Sequence, residues 1–232
     1  MTQTTAQPTA ADGSAPPEPT CPRCGKPMSL SVCDAVVPVD NRIELVVLQH
    51  PQEQDKLLGT ARLAVVSLKK ATFKIGLSWP SLTKALGRAA DPKRWAVLYL
   101  GSTRRQDFPP DRDVLVLDRH GHPVDDQDDA LADIEGVIVL DGTWSQAKAL
   151  WWRNPWVLKA QRVVLNPKRA SLYGVLRREP RREGLATIEA VGLLLGRLEQ
   201  RPEIETRLTQ NFQMMLAKLQ ASGVVGRRQR GK

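Results

Sequence analysis

Short apolar runs recur along the chain: Leu45–Leu48, Ala96–Leu100, Val114–Leu117, Val137–Leu140 and Val163–Leu165. Each is continuous rather than alternating and rich in Val, Leu or Ile, the pattern of strands buried on both faces. Between several of them the spacing becomes helical. From Lys56 to Leu68 the apolar residues fall at 57, 58, 61, 64, 65 and 68, close to a single stripe on a helix. The same reading predicts helices over Gly142–Arg153, Thr187–Leu198 and Glu203–Leu219, the last preceded by Pro202, where a missing N–H costs little. Strands alternating with helices predict an α/β domain with a mainly parallel sheet and flanking helices. No internal repeat is visible.

Residues 1–20 break this pattern. They hold Pro8, Pro16, Pro17 and Pro19 and no Lys or Arg, so they predict a disordered tail rather than a secretory signal or a transit peptide. The domain is expected over 21–220, opening with a cysteine cluster at 21–35, and a basic flexible arm is expected over 221–232. With 232 residues, 41% of them hydrophobic, the chain can bury the core of one such domain. No run approaches the ~18 apolar residues that a bilayer span requires, so no membrane partner is expected. Three cysteines cannot close a disulfide framework, which points to a reducing compartment and hence the cytoplasm.

Charge adds a partner class. The chain carries 34 Lys+Arg against 25 Asp+Glu, a net charge of +9, which attracts polyanions such as nucleic acid. The excess is concentrated: Lys159, Arg162, Lys168, Arg169, Arg177, Arg178, Arg181 and Arg182 are opposed only by Glu179, and Arg227, Arg228, Arg230 and Lys232 follow near the end. By contrast, Asp118 to Glu135 is acidic and reads as a solvated surface loop, since its acids lack the Asp/Asn/Gly spacing of a calcium loop.

The strongest local signal is Val137-Ile-Val-Leu-Asp-Gly-Thr-Trp144. A buried strand ends in a carboxylate, and a turn then opens a helix; ligands of open α/β sheets bind at such strand ends. The plainer reading is that Asp141 or Thr143 caps the helix. Trp144, Trp151, Trp152 and Trp156 either stack on a base or pack the core. Cys21-Pro-Arg-Cys24 with Cys33 has the spacing of a zinc knuckle, with His50, His120 and Asp34 as candidates for a fourth ligand and a redox CxxC as the weaker alternative. His50-Pro-Gln-Glu53 follows another strand end, Arg62 is placed to meet a carboxylate or phosphate, and Thr187 and Glu189 open a helix suited to capping or anion binding.

Taken in order, these pieces resemble the DTW-domain family, the tRNA-uridine aminocarboxypropyltransferases, from Cys21 to about Leu219. The matching segments are the cysteine cluster, Leu48-Gln-His-Pro-Gln-Glu53, Gly59-Thr-Ala-Arg-Leu63, Leu140-Asp-Gly-Thr-Trp144 with Gln146-Ala147, Tyr173 with Arg177, and Ala186-Thr-Ile-Glu-Ala190. The resemblance implies transfer of the 3-amino-3-carboxypropyl group of S-adenosylmethionine to N3 of a tRNA uridine. It also implies a SPOUT-like fold with a C-terminal trefoil knot around the cofactor. Asp141, Thr143 and Trp144 would then be catalytic, with Leu48, His50, Thr60, Arg62, Leu140, Gly142, Thr187 and Glu189 around the cofactor. Lys168, Arg169, Arg177, Arg178, Arg181 and Arg182 would meet the RNA. The family's usual Cys-x-Cys pair stands here as Cys33-Asp34-Ala35, so Ala35 replaces the fourth ligand and zinc stays open. A SPOUT-type RNA methyltransferase and a non-catalytic RNA-binding protein are the competing readings.

Overall fold

The computed structural model describes residues 18–99, 108–109, 112–174 and 184–223. Most of the N-terminal tail, the basic arm from 224 onward, Leu100, Arg177, Arg178, Arg181 and Arg182 lie outside the described residues. The elements run β1 (Glu44–Gln49), α1 (Ala61–Val66), β2 (Ala71–Ile75), α2 (Leu82–Leu86), β3 (Trp95–Leu98), β4 (Val114–Leu117), α3 (Gln127–Ala132), β5 (Gly136–Asp141), α4 (Trp144–Arg153), β6 (Gln161–Leu165), α5 (Thr187–Leu198) and α6 (Pro202–Ala221). Among the described residues six strands form one sheet in the order β2-β1-β5-β3-β6-β4, parallel throughout except for β4, which runs antiparallel to β6 at the edge.

The continuous apolar runs are explained by helices on both faces. Leu45, Val47, Val137 and Val139 point into a core shared with α1, α5 and α6. The alternate residues Val46, Leu48, Ile138 and Leu140 point the other way, onto Leu82 of α2 and Ala147 and Leu150 of α4. At the start of β5 this second core has no room for a side chain: a Cβ on Gly136 would lie 2.4 Å from the ring of the fully buried Trp95.

Three local expectations change. The edge strand β2 breaks its apolar residues with Thr72 and Lys74 and is only half-buried, so it carries no continuous run to read. The acidic stretch is not a loop throughout, because it contains α3. Asp126 accepts a 2.9 Å hydrogen bond from the Asp129 N–H as the N-cap, and Asp128 and Asp129 sit in the first turn, where the helix dipole favours carboxylates. The stripe beginning at Lys56 yields a shorter helix, which starts only after Gly59 and Thr60.

The connections define a crevice. From β1 the chain passes through α1 on one face and moves outward to β2; from β5 it passes through α4 on the other face, beyond β3, to β6. Neighbouring parallel strands whose chains depart in opposite directions leave an opening at their carboxyl ends, where ligands of doubly wound sheets bind. The last residues of those strands, Gln49 and Asp141, are in register.

Candidate active site

Asp141 closes β5 at this crevice, and both of its carboxylate oxygens have donors. Gln49 Nε2 lies 2.8 Å from Oδ2, and Thr187 Oγ1 lies 2.6 Å from Oδ1. The backbone carbonyl of Asp141 accepts from the His50 N–H at 2.9 Å, tying the two strand ends together. Thr187 is the first residue of α5, so the positive end of that helix lies against the carboxylate. Gly142 gives the turn its tightness: a Cβ there would stand 2.8 Å from Gln146 Cβ and 3.4 Å from His50 Cβ.

Thr143 is the N-cap of α4. Its hydroxyl accepts from the Gln146 N–H at 3.4 Å, while the Gln146 side chain accepts from the Thr143 N–H at 2.6 Å. The side chains that orient Asp141 are therefore Gln49 and Thr187, with Thr143 bound into the cap. Trp144 follows at the first helical position and is partly exposed.

The remaining candidates divide between the crevice and its supports. Thr60, buried just before α1, accepts a 3.3 Å bond from the Ile188 N–H, joining α1 to the start of α5. His50 caps the short turn Pro51–Glu53 through a 3.3 Å contact from the Gln52 N–H. Arg62 lies under the Phe73 ring at 4.8 Å, with its Nε buried and unpartnered. Leu48 and Leu140 are core residues of the sheet. Glu189 is buried and accepts from Ser171 Oγ at 2.5 Å and from the N–H groups of Leu172 and Ala186 at 2.9 and 2.8 Å, fastening the segment after β6 to the head of α5. Tyr173 is buried in the same junction, edge-on to Phe212 with ring centroids 5.0 Å apart, and its hydroxyl donates to the Leu58 carbonyl.

Of the RNA candidates within the described residues, Arg169 pairs with Glu205 at 2.8 Å across an exposed surface. Lys168 is exposed. A separate basic depression lined by Lys93, Arg119, Lys159 and Arg162 lies at the amino-terminal ends of β3 and β6, at the opposite end of the sheet from Asp141.

The thiols of Cys21, Cys24 and Cys33 are buried and lie within 4.8 Å of one another. Tetrahedral zinc with Zn–S bonds of about 2.3 Å brings sulfurs to roughly 3.8 Å, so the cluster needs little adjustment to hold a metal with three ligands. None of the proposed fourth ligands joins it. His50 is held at the Asp141 turn, His120 lies in the exposed Asp118 turn, Asp34 is exposed, and Ala35 has no donor side chain. The residues fit a three-thiolate site, not a closed four-ligand one. Burial pushes the Cys33 thiol up to about 12. At Cys21 burial also opposes ionisation, but hydrogen bonds from Ser31 and the Cys24 and Arg23 backbone outweigh it and bring the thiol to about 6. Lys26 donates to the carbonyls of Leu57 and Gly59 at 2.6 and 2.8 Å, and burial lowers its ammonium to about 8, partly offset by Cys24 and Cys33.

Gln49 was not among the residues singled out from the sequence. Its signal was present in the Leu48-Gln-His-Pro-Gln-Glu53 segment, but only the pairing of β1 with β5 turns a strand-end amide into the neighbour of Asp141.

The DTW domain profile matches residues 18–220. The chain belongs to the DTW domain family. This DTW protein is 27% identical over 206 residues to a Macaca fascicularis protein named tRNA-uridine aminocarboxypropyltransferase 2, covering 85% of this chain and 62% of the relative. It is 28% identical over 204 residues to the Mus musculus protein of that name, with the same coverages, and 28% identical over 194 residues to the Drosophila melanogaster one, covering 81% and 70%. The DTW chain thus spans less than two thirds of the length of the two mammalian relatives. No solved structure matches it.

Proposed function

We propose that this DTW protein transfers the 3-amino-3-carboxypropyl group of S-adenosylmethionine to N3 of a uridine in tRNA. The observation that carries this reading is the Asp141 carboxylate, fixed by Gln49 and Thr187 at the switch point of the sheet in a chain similar to proteins named tRNA-uridine aminocarboxypropyltransferase 2. In the proposed step, uridine N3 loses its proton to Asp141 and attacks the γ-carbon of the aminocarboxypropyl chain. The C–S bond breaks, its electron pair returns to sulfur, and the positively charged sulfonium becomes neutral methylthioadenosine. A sulfonium has three electrophilic carbons, so orientation decides which group is transferred; rigid placement is worth about 7–11 kcal/mol in favourable systems.

Trp144, at the mouth of the turn, is the proposed stacking surface for a uridine swung out of its own stack. The tRNA phosphates are assigned to Lys168, Arg169, Arg177, Arg178, Arg181 and Arg182 and to the basic C-terminal arm. The finer fold proposed is SPOUT-like with a trefoil knot. It is supported by the return of the chain from β6, two strands away, to set Thr187 against Asp141 at the centre of the sheet.

The test follows two labels on the donor. With carbon label in the aminocarboxypropyl chain, tRNA gains the label; with label only in the methyl group, it does not. Methyl label in the RNA would favour the methyltransferase reading instead.

A further inference from the structure

Between the carboxyl end of β1, the start of α1 and the cysteine cluster lies a small pocket lined by Gln49, Glu53, Arg62, Gly25 and Lys26. Three buried polar atoms of these residues have no hydrogen-bond partner: Gln49 Oε1, Glu53 Oε1 and Arg62 Nε. Gln49 is 3% exposed, so an unused acceptor there is costly. Its amide cannot be turned to relieve the cost. Nε2 must face the Asp141 carboxylate, which only accepts, so Oε1 is directed away from it. Glu53 and Arg62 carry opposite charges in the same pocket yet form no ion pair with each other or with any described residue. Arg62 is held between the Phe73 ring and the Gly25 backbone, where a Cβ would lie 3.5 Å from its guanidinium.

A pocket with two free acceptors, one of them anionic, and a free cationic donor complements a ligand carrying both an ammonium and a carboxylate. We propose that Glu53, Gln49 and Arg62 form the subsite for the α-amino-acid end of the donor. Glu53 and the Gln49 carbonyl accept from the α-ammonium, and Arg62 donates to the α-carboxylate. The inference rests on the donor reading above and deepens it. Gln49 then touches both halves of the reaction, with its amide N–H₂ on Asp141 and its carbonyl on the group to be transferred. Charge recognition at the amino-acid end falls to Glu53 and Arg62, which leaves Asp141 for the uridine proton.

Equilibrium binding of three small molecules to the full chain tests this: S-adenosylmethionine, S-adenosylhomocysteine, which keeps the amino-acid end, and methylthioadenosine, which lacks it. Glu53→Gln and Arg62→Met are each expected to weaken binding of the first two by about tenfold or more, since charge-assisted hydrogen bonds are lost. Methylthioadenosine affinity is expected to stay within about twofold of wild type on the same scale. Glu53→Gln is nearly isosteric and preserves the fold, and Arg62→Lys is expected to recover part of the affinity lost in Arg62→Met. Equal losses for all three ligands, or none, would overturn the subsite while leaving the donor reading intact. Wild-type protein that binds none of the three would overturn both.

Discussion

Thr187 Oγ1 donates a 2.6 Å hydrogen bond to Asp141 Oδ1, joining the first residue of α5 to the last residue of β5. With Gln49 on the other oxygen, the bond locks the carboxylate in one orientation at the crevice. Replacing Asp141 with Asn keeps the shape and removes the base. Single-turnover transfer is expected to fall by about 10²–10⁴-fold, the usual worth of general base catalysis. S-adenosylmethionine affinity should change little. Parallel loss of that affinity would assign Asp141 to donor binding instead.

Thr187→Val removes the hydroxyl and leaves the volume. A hydrogen bond to a charged group contributes about 1.5–3 kcal/mol, so transfer is expected to slow by roughly one to two orders of magnitude. Donor affinity should move little, the unfolding midpoint should fall by no more than the loss of that one bond implies, and Thr187→Ser should recover most of the rate. A variant that loses stability without losing rate would reduce Thr187 to a helix-end contact.

Gly136→Ala tests the packing beneath the site. The new methyl would meet the Trp95 ring at 2.4 Å inside a closed core, and overpacking of this kind typically costs about 1–3 kcal/mol. Urea denaturation should show a lower midpoint with an unchanged slope. An unshifted midpoint would mean that β5 and Trp95 separate more easily than their burial implies.

The fold was legible where burial was complete. β1, β3 and β5 announce themselves because helices on both faces demand continuous apolar runs, and β4 and β6 because Phe108 and Tyr99 cover the face opposite the helices. β2 did not, because an edge strand half-open to solvent tolerates Thr72 and Lys74. α3 was hidden by its own capping chemistry, since Asp126, Asp128 and Asp129 look like a solvated loop until the helix dipole explains them. In the site, Asp141 was visible as a carboxylate at a strand end, whereas Gln49 required knowledge of which strands are neighbours. The reach of Thr187 across the sheet depends on a long chain return that periodicity does not encode.

The cysteine cluster makes a prediction about metal. With three thiols and no fourth ligand beside them among the described residues, zinc should be held by an open site. Metal analysis after dialysis against a chelator is expected to find well under one zinc per chain, and Ala35→Cys should raise the retained amount toward one. Full retention by the wild-type chain would reveal a ligand outside the three cysteines.

Mass spectrometry of nucleosides from a full tRNA pool incubated with the protein and S-adenosylmethionine reads the proposed transfer itself. The expected product is uridine carrying the intact aminocarboxypropyl group at N3, with methylthioadenosine released in equal amount and both formed about 10²–10⁴-fold more slowly by Asp141→Asn. A methylated nucleoside with S-adenosylhomocysteine, or no modified uridine across the pool, would contradict it.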